Sequence, residues 1–432
     1  MWVEKKIRQS SRRITQEQEL IHLIGVSGEY PSESIPLIIP STRYSGKVKT
    51  ALKKDGIVRV VSEDSMKGYR LTEKGRRKLL EENRARFEGV FAEGGIPSPS
   101  EVVKRKRMLS QAAVMTIMYK SGVQIYDDEK ADIFGNAFPP LAAEVVIPSQ
   151  SKSFPNVPKS QTTDNSQAHL SAPKEERKGT PGEVRVGSGI PRITHPSYYG
   201  SREYKRGDWE LQGKYGTKKP LAVKGSRSTG VLLTPTHIYN IYNTGSTLIK
   251  WGADVERKWK EEITSGVSRG LLVGQYNGQE PNGILIGKSM DMLIQYLTVD
   301  KKQKSIDTFL TRVYDSFYYL TNDWHGILQM QFLLTPLLYE NAQKIIMARY
   351  NPRSRNYSIV HDALTDDNRP VLLALVPNIP RLIRFRNGLE AQGKTGIVMC
   401  FSYQKEALVG YLGECAEVRG ADFDRVKEAI EE

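Results

Sequence analysis

Basic side chains are concentrated in one short stretch of the chain, at a spacing that suits a polyanion. Residues 41–78 contain twelve Lys or Arg against four acids, so they carry +8 of the chain's net charge of +14. Four residues in this stretch recur at helical spacing and would share one face of a helix, namely Arg43, Lys47, Thr50 and Lys54. Lys and Arg in such a row neutralise phosphates and release counterions, and Arg can also read guanine through two hydrogen bonds. The pattern predicts a face that binds nucleic acid, with a solvated basic face as the simpler alternative.

The residues around this row predict the helix that would position it. Ser41 or Thr42 can cap the helix N-terminus, and Gly56 can end it. Val48 and Leu52 lie four residues apart and give the helix an apolar side, turned away from the basic row. We expect this helix to pack on a core and to present its charges to solvent.

A hairpin and two further helices are predicted around the basic helix. The β-branched run 57–61 and the short strand 69–71 form the hairpin, and Thr72 starts a returning helix. Upstream, Thr15 and Gln18 fit a capping box before an apolar helix face. The expected order is therefore helix, basic helix, hairpin and returning helix.

This order of elements resembles the winged-helix family over about residues 14–85, with residues 68–76 as the most telling segment. The resemblance implies double-stranded DNA as the partner, with the basic helix in the major groove and the hairpin as a wing on flanking phosphates. A winged helix that binds protein instead is the alternative. The expected DNA-binding residues are Arg43, Tyr44, Lys47, Thr50, Lys54, Arg59, Lys67, Arg70, Arg76 and Arg77.

Length and composition predict more than one folded domain. The chain has 432 residues, of which 39% are hydrophobic, enough for two or three domains with their own cores. A Ser/Pro-rich stretch has too few apolar residues to fold alone and is expected to be a flexible linker or long loop. The expected boundaries are 1–90 for the winged helix, 91–147 for a helical connector with a basic run at 104–107, 148–190 for the linker, and 191–432 for an α/β domain.

The C-terminal half alternates between strand and helix patterns. A hairpin is expected within 231–242 and an amphipathic helix at 254–263, followed by short buried strands at 270–273 and 283–286. Further on, a strand at 370–376, a helix at 379–392 and a strand at 396–401 form a crossover that builds a parallel sheet. The predicted fold class is therefore α+β and α/β, with a mixed sheet in the C-terminal domain.

Residues 388–395 match the phosphate-loop pattern of nucleotide triphosphatases, from Gly388 to Lys394 and Thr395. A phosphate loop leaves a strand and enters a helix, so that backbone amides point at the phosphates. Here the order is reversed, because helix-forming residues precede Gly393 and a strand follows. We interpret the segment as a helix-to-strand turn and keep nucleotide binding as a second alternative function.

Metal-dependent DNA cleavage is the first alternative. It needs carboxylates that converge on Mg²⁺, and the candidates are Glu256 and Glu280, with Lys288 to stabilise charge. Where such a nuclease would have Pro-Asp-Gly, this chain has Asn282 between Pro and Gly. We therefore predict no catalytic, metal or cofactor site.

Short motifs across most of the chain also resemble the replication-relaxation family of plasmids and integrative elements. They are Ser226-Arg227, residues 242–245 with Lys250-Trp251, residues 281–283, and Phe401 with Gln404. This resemblance implies a bacterial DNA-binding protein that serves replication, transfer or regulation of a mobile element. It also implies a degenerate restriction-nuclease-like second domain, which we expect to form a homodimer or to bind a partner protein.

The remaining expectations concern location. No signal peptide or apolar run of membrane-spanning length is recognisable. Cys400 and Cys415 are too few for a disulfide framework or a metal finger and are expected to be small hydrophobic residues. A cytoplasmic protein without a membrane partner is the prediction.

Overall fold

The computed structural model describes residues 14–63, 65–92, 102–131, 133, 192–201, 203–204, 223, 225–245, 252–298, 313–352 and 358–431. The described residues all belong to one compact unit. The expected linker at 148–190 lies outside the described residues. The described residues form a mixed α/β structure, with helices around three sheets of which two are mixed.

Residues 14–92, here called the N-terminal module, contain short helices around a small antiparallel sheet. The sheet has the strand order β1-β3-β2. The elements are α1 (Gln16–Ser27), β1 (Tyr30–Pro31), α2 (Ile35–Ile38), α3 (Thr42–Lys54), β2 (Val58–Glu63), β3 (Met66–Leu71), α4 (Glu73–Glu82) and α5 (Arg84–Ala92).

Local sequence determines where these elements begin. The capping box predicted for α1 is present, with the Thr15 side chain accepting from the Gln18 backbone. Ser41 caps α3, and its Oγ accepts a hydrogen bond of 3.3 Å from the backbone N–H of Tyr44. The strands are longer than predicted, because the ladder continues to the pair Glu63 and Met66.

Helix α6 (Val102–Lys120) joins the N-terminal module to the rest of the compact unit. It has 19 residues and is therefore about 28 Å long. Its hydroxyl group at Thr116 shares a hydrogen bond of 2.8 Å with Tyr30 of the module. On its other side, Asn243 donates to the Ser110 carbonyl over 3.0 Å, and Ser121 just beyond the helix donates to the Ile327 carbonyl over 3.3 Å. The module is thus fixed to the second sheet by a buried helix.

The second sheet has the order β4-β5-β6-β7-β8. Its strands are β4 (Ser197–Gly200), β5 (Ser228–Leu233), β6 (Ile238–Gly245), β7 (Asn282–Gly287) and β8 (Phe317–Thr321). The predicted hairpin is confirmed, since β5 and β6 pair antiparallel, whereas β6, β7 and β8 are parallel. Helices next to it are α7 (Ala253–Ile263), a π-helical run (Thr264–Leu271), α8 (Val273–Tyr276) and α9 (Met290–Thr298).

The strand predicted at 270–273 is wrong. The π-helical run is kinked at Gly270, whose φ of −106° and ψ of −107° are not helical, and α8 begins at Val273. The buried residues Val267, Leu272 and Tyr276 face the core at helical spacing. A run of four apolar residues is too short for its period to separate a strand from a buried helix.

The third sheet has the order β13-β12-β11-β10-β9. Its strands are β9 (Asn351–Pro352), β10 (Ala363–Leu364), β11 (Pro370–Leu373), β12 (Gly396–Phe401) and β13 (Ala416–Ala421). The predicted crossover is confirmed, because β11 and β12 pair parallel and enclose a helix with the predicted bounds. The accompanying helices are α10 (Trp324–Leu334), α11 (Pro336–Met347), α12 (Ile379–Gln392), α13 (Lys405–Leu412) and α14 (Phe423–Glu431).

The two cysteines are free thiols in the third sheet and next to it. Cys400 is buried and Cys415 half-buried, and neither forms a disulfide. Burial raises the pKa of the Cys400 thiol to about 12, which fits a packed hydrophobic residue rather than a nucleophile.

In the part of the chain that the structure describes, no helix is long and apolar enough to cross a bilayer.

Candidate nucleic-acid interface

Helix α3 carries three of its five basic residues on the side opposite its apolar residues. Ser45, Val48 and Leu52 are buried in the core of the module. The opposite side, here called the basic face, consists of Arg43, Tyr44, Lys47, Thr50 and Lys54, all of them exposed. From Arg43 to Lys54 this face extends about 16 Å along the helix axis.

The positive charges of the basic face are not neutralised within the structure. Neither Arg43 nor Lys47 nor Lys54 makes an ion pair with any residue that the structure describes. Helix α3 contains no acid, and Asp55 at its C-cap is the nearest carboxylate in sequence. An incoming anion would therefore not have to displace an internal partner from these side chains.

The hairpin presents further basic residues, but on two different faces. Arg59 pairs across the ladder with Arg70, and Ser62 with Lys67. Because side chains alternate along a strand, Arg59 and Arg70 lie on one face and Lys67 on the other. Arg59 and Lys67 are exposed, whereas Arg70 is partly buried.

Arg70 is held by an internal carboxylate instead of pointing to solvent. Its Nη2 lies 2.6 Å from Oε2 of Glu29, and its Nε lies 2.9 Å from the same oxygen. Glu29 is fully buried and also accepts from Arg105 of α6 over 2.6 Å. This pairing argues against the expected phosphate contact of Arg70, because the Glu29 carboxylate already accepts from its Nε and Nη2.

Arg105 braces the hairpin from below. Only 2% of Arg105 is exposed, and its guanidinium donates to the backbone carbonyls of Val61 and Glu63, each over 3.0 Å, and of Met66 over 3.2 Å. The basic run 104–107 therefore does not act as one surface. Its other three residues are exposed, whereas Arg105 is an internal support.

Sequence reasoning missed Glu29 and Arg105, which lie 76 residues apart in the chain. The one local hint was Gly68 inside a strand pattern, since an isolated glycine there marks a close approach. A Cβ added at Gly68 would overlap the Glu29 carboxylate. Glycine is therefore required at position 68, because only a residue without a Cβ leaves room for the Glu29 carboxylate against the hairpin.

Arg76 and Arg77 lie on α4 behind the hairpin. The Arg76 guanidinium is half-buried, 5.9 Å from the centre of the Phe91 ring. Arg77 is exposed. Of the two, Arg77 is the one available to a phosphate outside the basic face.

The segment that matches a phosphate loop is the C-terminal end of a helix. Residues 388–392 complete α12, and Gly393 ends it in the left-handed conformation, with φ of 60°. The backbone N–H of Lys394 is already bonded to the Leu389 carbonyl over 3.1 Å. Helix C-termini carry a partial negative charge, so this site would repel a phosphate. The interpretation as a helix-to-strand turn is confirmed.

The carboxylates considered for metal-dependent cleavage are each engaged with other partners. Glu256 is buried and accepts hydrogen bonds from Ser226 Oγ, the Arg227 backbone and Tyr242 Oη at 2.8–2.9 Å. Burial raises the pKa of Glu256, and these hydrogen bonds oppose that shift. Glu280 is exposed and pairs with Lys260 over 2.5 Å.

Within the described ranges, no group of three or more His, Cys, Asp or Glu could hold a metal ion. The alternative of a nuclease whose metal ion is held by Glu256 and Glu280 therefore has no geometric support. Lys288 is exposed at the end of β7.

In comparisons with known proteins, no protein-family model, no curated protein and no solved structure matches this chain. The resemblances to the winged-helix and replication-relaxation families stay predictions. Any function therefore has to be inferred from the chain's own residues and their geometry.

Proposed function

We propose that the N-terminal module is a winged helix that binds double-stranded DNA through the basic face of α3. The observation that carries this proposal is the exposed row of Arg43, Lys47 and Lys54, which makes no ion pair with the described residues and is backed by the buried Val48 and Leu52. Unpaired cations in a row favour a phosphate backbone, since each contact releases counterions. A helix held by its apolar side can enter a groove without unfolding the module.

The dimensions of α3 suit the major groove. The groove is about 12 Å wide and accepts one α-helix. A face about 16 Å long would span roughly five base pairs at about 3.4 Å per step. Arg43, in the first turn of the helix, can donate two hydrogen bonds to a guanine, while Lys47 and Lys54 reach phosphates on either side.

The hairpin would flank the groove as a wing. Arg59 and Lys67 are exposed on its two faces and can each contact a phosphate. Glu63, close to the tip, is also exposed and would repel the backbone, which limits how deeply the tip inserts. The Arg105 brace fixes the hairpin before DNA arrives, so less ordering entropy is lost on binding.

A selection from a random duplex library tests the proposal directly. The full chain and an R43A/K47A/K54A variant would be mixed with the library, and bound duplexes sequenced. We expect the wild type to enrich duplexes that share a guanine-containing motif and the variant to recover far less DNA. Comparable recovery and the same motif with both proteins would reject α3 as the reading helix.

A further inference from the structure

Strand β13 forms one edge of the third sheet, and no described strand pairs with its outer side. It has six residues and pairs parallel with β12 over its whole length. The outward-pointing N–H and C=O groups of an edge strand can pair with a further strand. Gly420 is exposed, and because glycine has no side chain, this exposure belongs to the backbone of the edge.

The other edges of the two mixed sheets are short or already bridged. Strand β4 is bridged by Gln124, whose carbonyl accepts from the Tyr198 N–H over 2.9 Å. Strand β8 is bridged in the same way by Asn378, and β9 has only two residues. Among the described residues, the backbone of β13 is hydrogen-bonded only to β12 and to Ser402 just beyond it. Its outer side is therefore the free edge of these two sheets.

Two opposite charges lie on this strand. Glu417 and Arg419 are two positions apart, so their side chains are on the same face of the sheet. Arg419 donates to both carboxylate oxygens of Glu417, over 2.7 and 2.8 Å, and these side chains are 32% and 51% exposed. Arg419 also donates to Tyr350 Oη over 3.0 Å, and Arg369 lies 3.8 Å from Glu417. Both charges are thus held in place at the accessible edge.

This spacing of charges makes the strand complementary to a second copy of itself. If Val418 lies opposite Val418 of the partner subunit in an antiparallel pair, Glu417 faces the partner's Arg419, and the same contact is repeated across the two-fold axis. Side chains directly opposite each other have Cβ atoms about 4.5–5.5 Å apart, which is close enough for both ion pairs. A shift of two residues would instead place Glu417 opposite the partner's Glu417, or Arg419 opposite the partner's Arg419. Charged residues often keep edge strands apart, but opposite charges in this order favour one register.

We propose that the chain forms a homodimer in which β13 pairs antiparallel with β13 of a second copy, centred on Val418. The four charged side chains would alternate in sign, and such a network stabilises more than an isolated surface pair. Two five-stranded sheets would join into one continuous sheet. An interface made mainly by one strand from each copy is small, so we expect a dissociation constant in the micromolar range. This contact does not depend on DNA binding.

Sedimentation equilibrium of the full chain at about 1–100 µM, without DNA, tests the proposal. We expect the wild type to dimerise and the single reversals E417R and R419E to weaken the dimer at least about tenfold each, because like charges would face each other. An equimolar mixture of the two variants should dimerise again, since the positive side chains of one then face the negative side chains of the other. A wild type that is monomeric at about 100 µM, single variants that dimerise as the wild type does, or a mixture that stays monomeric would overturn the proposal.

Two control variants separate the register from net charge and from folding. Asp254→Arg changes the net charge as Glu417→Arg does, but at an exposed ion pair with Arg257 on α7, and it should change the dissociation constant less than about twofold. The double variant E417R/R419E exchanges the two charges and should dimerise as the wild type does. Because it loses the Tyr350 contact just as R419E does, the difference between these two variants reports the charges alone. Equal weakening by Asp254→Arg, or a folded double variant no tighter than R419E, would contradict the pairing.

Discussion

Removal of three charges from the basic face should weaken DNA binding and also flatten its dependence on salt. Arg43 is proposed to contact a base, and four other exposed residues are proposed to contact phosphates, namely Lys47, Lys54, Arg59 and Lys67. Each neutralised phosphate contributes about −0.9 to the slope of log K against log salt, so the wild-type slope should be about −3.6. The R43A/K47A/K54A variant keeps two of the four phosphate contacts and should have a slope of about −1.8. Doubling the salt concentration should then weaken wild-type binding about 12-fold and variant binding about 3.5-fold.

Fluorescence anisotropy with a labelled duplex of about three helical turns would measure these slopes between about 0.05 and 0.2 M KCl. The matched control is K258A/K344A/K405A, which removes the same net charge from exposed helix positions elsewhere. None of the three control lysines makes an ion pair with a described residue, so both variants should fold. If the two triple variants gave the same slope, non-specific attraction by net charge would explain the binding and our assignment would fail.

Three further predictions concern the stability of the folded protein. Arg105→Met should lower the free energy of unfolding, measured by urea titration, by about 3–5 kcal/mol, because it leaves Glu29 buried with only one of its two arginine partners. The control Arg107→Met removes an exposed arginine and should change the free energy of unfolding by less than about 0.5 kcal/mol. Gly68→Ala should lower the free energy of unfolding by about 1–3 kcal/mol, because the added Cβ would overlap the Glu29 carboxylate. An unchanged midpoint of urea unfolding would argue against the close contact between Glu29 and the hairpin. The pKa of Glu256 is raised in the folded protein, so the folded state holds this proton more tightly than the unfolded state. The free energy of unfolding should therefore fall as the pH rises from the usual Glu pKa of about 4.3 through the pKa of Glu256 in the folded protein. Glu256→Gln should not show this loss of stability when melting temperatures are measured over a series of pH values. If the melting temperatures of the two proteins changed with pH in parallel, the prediction would be contradicted.

Strong local patterns made several elements predictable from sequence. Helix α3 was expected from its cap, its apolar pair and the glycine after it, and the structure gives Thr42–Lys54. The crossover around α12 was equally clear, because continuous apolar strands flank a helix that ends at Gly393. In each case the residues that determine the element lie within one or two turns of it.

Contacts between distant residues could not be predicted in this way. Arg70 and Arg105 occur in basic runs, where the most common environment is solvent. Their burial depends on Glu29, which is distant from both in sequence and close in space only once β1, the hairpin and α6 have assembled. The exposure of the basic face was therefore predictable, but the brace behind the hairpin was not.

A cavity between the second and third sheets also had no recognisable pattern in the sequence. Its lining includes Tyr239 and Tyr318, which belong to strands β6 and β8, and Asn378, which precedes α12 without a capping hydrogen bond. Only the assembled sheets show that the Asn378 oxygen has no hydrogen-bond partner among the described residues.

Photo-crosslinking from the centre of the basic face tests the central claim most directly. A benzophenone amino acid would replace Thr50 on α3 in one protein and Lys258 on α7 in another, since both positions are exposed. With duplex DNA bound, we expect a protein–DNA crosslink from position 50 and none from position 258. Efficient crosslinking from position 258, or none from position 50 while DNA stays bound, would show that the chain meets DNA through a different surface.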